Sequence, residues 1–290
     1  IAQAQMLAKI GVLSGNEADD IKKCLDELLK QIEEGKFVIE KSDEDVHTAI
    51  EGYLIAKLGD TGKKIHTARS RNDQVLTAIR LYTKDQVKQI LAKMVNCLNV
   101  MHGFATKYRD IPYVGRTHYQ KAMPSSMGLW MGAMMESLLD DAGLLIGSYN
   151  LVDQCPLGSA ASYGVMLPID RQYSSDLLGF KKVQNNVLYA NNSRGKFESV
   201  VIHSLGQIML DMSKLSTDVI LFSAPEMGYL ELPIEFCPGS SLMPNKKNPD
   251  PFELIRAKSA TVMANFVQVF EASRALPSGY NRDSQETKRP

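Results

Sequence analysis

Three long stretches of the chain repeat apolar residues at alternating intervals of three and four. Val87, Ile90, Met94, Cys97 and Met101 form the first; Leu205, Ile208, Met212, Leu215, Val219 and Phe222 the second. The third runs Phe252, Ile255, Ser259, Val262, Phe266 and Val269, with Ser259 its one polar step. A further helix is predicted from Pro124, carrying Trp130, Met134 and Leu138. Such spacing, sustained over several turns, predicts long helices packed side by side in a bundle, an all-α fold. At about 1.5 Å per residue, a helix of ~30 residues reaches roughly 45 Å, more than a compact monomer needs. Helices of that reach commonly bury their remaining apolar surface against other subunits.

Ahead of the long helices lies a smaller helical unit. The stretch SGNE, 14 to 17, reads as a capping box, followed by Ile21, Cys24, Leu25, Leu28, Leu29 and Ile32 on one face and Gly35 as a stop. A second short helix is predicted over 43–58, with Val46, Ile50, Leu54 and Leu58 inward and Gly59 ending it. The expected division is a helical N-terminal domain over 1–68, incomplete at its start, and a central helical-bundle domain over 69–290. There is no internal repeat and no low-complexity tract. The 14 methionines fall mostly on apolar faces, which reads as core filling.

Charge excludes several classes of function. Lys plus Arg is 33 and Asp plus Glu is 33, giving no basic excess for nucleic acid or an anionic membrane surface. Apolar runs are short and interrupted by charge, so no segment is expected to span a bilayer. Cys24, Cys97, Cys155 and Cys237 show no CxxC spacing, which points to reduced thiols and a cytoplasmic location. Cys237 reads as a packing cysteine, because no local motif activates it. No GxGxxG or P-loop pattern supports a nucleotide cofactor, and His47, His66, His102, His118 and His203 lack metal-ligand spacing. No cofactor and no metal is expected.

Polar side chains concentrate where long helices begin or end. HTARSRNDQ, 66 to 74, opens a helix, with Asn72 or Asp73 as N-cap. Arg69 and Arg71 at that positive end either clamp a carboxylate or pair with acids elsewhere. GRTHYQKAMP, 115 to 124, sets Thr117, His118 and Gln120 before Pro124, as at a helix start. GSSLMPNKKNP, 239 to 249, holds Ser240, Ser241, Lys246, Lys247 and Asn248 with no acid among them. A serine acts as a base only where its alkoxide is strongly stabilised, so this cationic, glycine- and proline-punctuated loop reads either as an anion-receiving flap or as a solvated linker.

Taken together, these segments resemble the fumarase/aspartase superfamily, and GSSLMPNKKNP resembles its signature loop. HTARSRNDQV, GRTHYQKAMP, PLGSAASYG, GSSLMPNKKNPDPFELIR and LPSGYNRDSQETK follow the order seen in its argininosuccinate lyase and delta-crystallin branch. The resemblance runs from EDVHTAIE, 44 to 51, to the end of the chain. It implies a β-elimination cleaving argininosuccinate to arginine and fumarate, in arginine biosynthesis. It further implies Ser240 as the base that takes the Cβ proton and His118 as a proton donor or acceptor paired with Glu253. Lys246 and Asn248 would stabilise an aci-carboxylate, while Arg71, Asn72, Thr117, Tyr280, Gln285, Lys288 and, less directly, His47 would meet substrate. The family's fold is an all-helical homotetramer whose sites draw on three subunits. Other fumarate-releasing lyases, such as adenylosuccinate lyase, and crystallin-like structural proteins on this scaffold are the alternatives.

Several positions depart from the family pattern. Ala68 and Ala160 stand where it more often has glycine, Asn245 replaces a common glutamine, and Arg116 and Tyr119 are variants within the second motif. Family members also carry a further upstream segment and a helical domain downstream, so a partial chain is expected.

Overall fold

A computed structural model describes residues 1–239, 241–243 and 245–288. The chain runs α1 (Ala2–Lys9), α2 (Gly15–Glu33), α3 (Val46–Leu58), α4 (Asp60–Lys64) and α5 (Arg71–Lys107). Then come β1 (Pro112–Thr117), β2 (Gln120–Ser126), α6 (Met127–Val152), β3 (Gln154–Cys155), α7 (Arg171–Leu177), β4 (Lys182–Val183) and α8 (Val187–Asn192). Two long helices, α9 (Lys196–Ser223) and α10 (Asp250–Ser273), complete the order. The fold is all-α with two small strand pairs. Two compact units emerge, each assembled from segments distant in sequence.

The first unit comprises Ile1–Tyr82, Asp153–Arg194 and Leu276–Arg282. The capping box forms as the sequence dictates: Ser14 Oγ accepts from Glu17 N–H at 3.2 Å, and Ser14 N–H donates to the Glu17 carboxylate at 2.8 Å. Along α2, Ile21, Cys24 and Leu28 are buried, and Ile21 and Cys24 join Leu7, Leu54 and Ile65 in one cluster. Leu29 and Ile32 point outward instead, because only one side of α2 is covered and its apolar stripe is wider than that contact. Helix α3 starts at Val46 rather than 43, since the Asp45 carboxylate accepts from Thr48 N–H at 2.9 Å and caps it. Gly59 ends it at φ 59°.

At the start of α5 the cap is Ser70, not Asn72 or Asp73. Ser70 Oγ accepts from Asn72 N–H at 3.2 Å, and Asp73 reaches back to Ser70 N–H at 3.0 Å. The other Asp73 oxygen accepts from Gly158 and Ala160 N–H, each at 2.9 Å. Asp73 is fully buried, and burial pushes its carboxyl above the usual range against the pull of these three amides. The PLGSAASYG segment is therefore a backbone cradle for a carboxylate of the HTARSRND segment. Ala68 and Ala160, the two positions where glycine is commoner in the family, both adopt left-handed backbone, at φ 59° and 48°.

The second unit comprises Thr83–Val152, Gly195–Ala275 and Asp283–Pro290. Within it α9 packs against both α6 and α10. Val87, Met94, Leu145, Val152, Phe197 and Val201 form one core; Met101, Trp130, Leu138, Val219 and Phe222 belong to another. Each such side chain contributes about 1.5–3 kcal/mol by leaving water. Trp130 Nε1 donates to Asp218 at 2.9 Å, satisfying its buried polar edge. Between α6 and α9 lies a buried acidic pair, Asp141 and Asp211, the latter taking hydrogen bonds from Ser137 Oγ and, at 3.2 Å, Lys214.

Candidate active site

In the first unit, His47, Arg69, Arg71 and Asn72 gather where α3 and α5 begin. Arg71 pairs with Glu44 and, at 3.7 Å, with Asp45, and donates to Thr48 Oγ1 at 2.8 Å. The hydrogen bond it donates to Glu44 holds its guanidinium above the usual range. Arg69 approaches Glu51 at 3.6 Å, and Glu51 also meets His66 Nδ1 at 2.6 Å. The arginines thus pair with acids within the chain. The Glu44 partner is 76% exposed, so that bridge is a rim contact worth ~0–1 kcal/mol, one that a bound carboxylate can displace. His47 Nδ1 and Arg69 Nε are buried and, among the described residues, without a hydrogen-bond partner. Burial pushes the His47 imidazole below its ordinary pKa, opposed by Asp45 and aided by Arg69 and Arg71. A neutral imidazole beside two guanidiniums leaves positive charge concentrated on the arginines.

Tyr280 lies in the same unit. Its ring sits 5.3 Å from the Arg194 guanidinium, a residue for which the sequence carries no motif signal beyond its place just before α9. Asn192 pins this segment, donating to Ser278 Oγ at 3.1 Å and accepting from Gly279 N–H at 2.8 Å.

The second unit holds the histidine motif, and here the expected helix start is replaced by a β-hairpin. Strands β1 and β2 pair antiparallel, with Thr117 opposite Gln120 and Val114 opposite Pro124. Proline gives up no needed hydrogen bond at the edge of a two-stranded ribbon, so Pro124 does not begin a helix; α6 waits until Met127. His118 and Tyr119 form the two-residue turn at φ 53° and 60°, the left-handed pair of a type I′ hairpin. Thr117 and His118 are exposed. A cavity of about 290 Å³ opens beneath them, lined in part by Tyr113, Arg116, His118, Trp130 and Phe222.

Glu253 is exposed in the first turn of α10, and among the described residues it makes no ion pair with His118 within the chain. Ser240 lies outside the described residues. Around it, Gly239 and Lys247 form an antiparallel bridge, Lys246 N–H donates to Met243 C=O at 3.1 Å, and Asn248 N–H reaches Pro238 C=O at 3.4 Å. Lys246 is exposed and Cys237 is buried, as a packing cysteine would be. Lys288 Nζ donates to the Gln285 side chain at 2.8 Å. The chain therefore gathers one set of predicted residues at the α3/α5 entrance and carries the others on a hairpin tip, a cationic loop and the 282–288 turn. Among the described residues, no cluster of three His, Cys, Asp or Glu side chains could hold a metal ion, and no helix is long and apolar enough to cross a membrane.

A family profile described as lyase matches residues 1–264. An argininosuccinate lyase of Thermotoga neapolitana is 48% identical over 290 residues, covering 100% of this chain and 73% of its own length. One of Parabacteroides distasonis is 43% identical over 288 residues, covering 99% of this chain and 65% of its own. The crystal structure of EDDS lyase in complex with formate superposes with a TM-score of 0.88 at 25% identity, over 99% of this chain and 57% of that one. The chain thus spans 73% of the length of the first of these curated relatives and 65%, just under two thirds, of the second. Fold and polar segments together define a helical-bundle protein of the fumarase/aspartase type. More narrowly, the chain belongs to the lyase family, and argininosuccinate lyases are its curated relatives.

Proposed function

We propose that the protein cleaves argininosuccinate to arginine and fumarate by β-elimination, within arginine biosynthesis. Removing a proton beside a carboxylate builds a second negative charge on that group, so catalysis requires cations and N–H donors fixed where the charge appears. In this reading Ser240 takes the Cβ proton, while Lys246 and Asn248 stabilise the aci-carboxylate. The Cα–Cβ double bond then forms as the C–N bond breaks, and His118, paired with Glu253, manages the proton on the leaving nitrogen. Arg71, Asn72, Thr117, Tyr280, Gln285 and Lys288 hold substrate, with His47 nearby.

Identity with argininosuccinate lyases over the whole chain, spanning every motif segment, carries this reading. The acid-free loop supports it, because an acid there would oppose the developing charge. Exposed apolar side chains on the long helices, among them Val100 on α5, Leu139 on α6 and Val267 on α10, support a homotetramer in which neighbouring subunits complete each site. That assembly would bring Glu253 of one subunit to His118 of another. The proposal includes the division into an N-terminal helical domain, 1–68, and a central bundle, 69–290, and a cytoplasmic location.

The test is ultraviolet absorbance of fumarate released by the full-length protein from argininosuccinate and, separately, from adenylosuccinate. Ser240→Ala is expected to abolish turnover while substrate binding persists. Release from adenylosuccinate alone, or near-normal rates in that variant, would overturn the assignment.

A further inference from the structure

We propose that Arg116 is a positioning residue that sets the orientation of His118, an inference that rests on the catalytic reading of that histidine. The turn carrying His118 is not specified by its own residues. Type I′ hairpins favour Asn-Gly, whereas this one places His118 and Tyr119 at φ 53° and 60°. What holds the turn lies beside it. Arg116 Nη1 donates to the Tyr119 carbonyl at 3.0 Å, across the turn itself. Its Nη2 donates to the Tyr229 hydroxyl at 3.4 Å, and that hydroxyl donates in turn to the Val114 carbonyl at 3.3 Å.

Tyr229 is itself anchored. Its N–H and that of Leu230 both donate to the Phe222 carbonyl near the end of α9, at 2.8 and 3.0 Å. Its ring packs against Tyr113 and Phe222 at 5.4 and 5.3 Å between centroids, and the Arg116 guanidinium stands 5.9 Å from it. The ladder shifts register between Val114 and Arg116. Close approach there is possible because Gly115 has no Cβ, which would lie 2.9 Å from the Met123 carbonyl. A fork-shaped guanidinium therefore ties the His118 turn to the end of α9 through one tyrosine. Lysine cannot reproduce this, having a single donating centre.

Steady-state fumarate release by the full-length protein tests the inference, with tetramer size and melting temperature followed in parallel. Arg116→Met is expected to lower kcat roughly 10–100-fold, because small displacements of a reacting group cost that much. KM is expected to move less than about threefold, since transition-state and not ground-state contacts are lost. Arg116→Lys is expected to recover little of the rate. Tyr229→Phe, which removes one oxygen, keeps the inference testable if the arginine variants fold poorly. It is expected to lower kcat by a smaller factor, and the double variant is expected to fall no further than Arg116→Met alone. Unchanged kcat in folded Arg116→Met or Tyr229→Phe overturns the positioning role, as does a rise in KM at constant kcat. His118→Asn is measured alongside. Full turnover in that variant removes the reading of His118 on which the inference rests, whereas its loss beside normal Arg116→Met rates defeats the positioning role alone.

Discussion

Replacing Asp141 by asparagine should make the protein more stable at alkaline pH and leave it unchanged near pH 4. Asp141 on α6 is 5% exposed and faces Asp211 on α9, 8% exposed. Burial first, then the charge and hydrogen bond of Asp211 and the charge of Asp140, push the Asp141 carboxyl from 3.8 to about 6, with Lys214 opposing. One oxygen of Asp141 is buried and has no hydrogen-bond partner among the described residues. Because the folded pKa is raised, the protonated form favours the fold. That contribution is fully present below the unfolded pKa near 4 and is lost as pH rises through about 6. At ~1.36 kcal/mol for each tenfold change, the ionised side chain would cost ~3 kcal/mol, which solvent screening at the helix edges reduces to ~1–2 kcal/mol. Asparagine fills the same volume, cannot ionise, and donates to Asp211 at every pH. Urea unfolding of both proteins in parallel buffers should therefore give Asp141→Asn an advantage of ~1–2 kcal/mol at pH 8 that falls to about half near pH 5 and to within ~0.5 kcal/mol near pH 4. Stability curves that run parallel across that range, or a variant weaker at pH 8, would refute the assignment of a proton to this pair.

Asp73→Ala should cost about 3–5 kcal/mol in urea unfolding, because it strands the buried Gly158 and Ala160 amides and removes the Ser70 reach-back bond; a loss below ~1 kcal/mol would mean that solvent replaces the carboxylate there. Ala68→Gly should gain roughly 1 kcal/mol, since Ala68 holds φ 59° with a Cβ that glycine lacks, and a midpoint no higher than the parent's would show that the strain is relaxed elsewhere.

The long helices were legible because their packing uses the same three-four period that the residues display. Val87, Met94 and Met101 on α5, Val219 and Phe222 on α9, and Val269 on α10 are buried at the positions the pattern picked out. The SGNE cap and the Gly59 stop were equally readable, being set by bonds within a few residues. The hairpin at 112–126 was not. Its turn lacks glycine and asparagine, and the side chains that hold it come from Arg116 and from Tyr229, more than a hundred residues downstream. The Ser70 cap was hidden for a similar reason, since Asp73 serves Gly158 and Ala160 as much as its own helix. Among the predicted site residues, Arg71 and His47 come together as one polar nest, while His118 and Glu253 form no ion pair among the described residues. Neighbourhoods assembled from remote segments leave no local period to read.

The Asp73 cradle also dictates a schedule for biosynthesis. Its amides lie 85 and 87 residues further along, and residues of the 276–282 segment join the same unit later still. At ~5–20 residues per second, translation needs about 4–17 s to deliver the first of those donors. Throughout that interval a carboxylate destined for the interior stays hydrated. Until those segments arrive, the Asp73 end of α5 lacks the amides that satisfy its carboxylate in the finished fold.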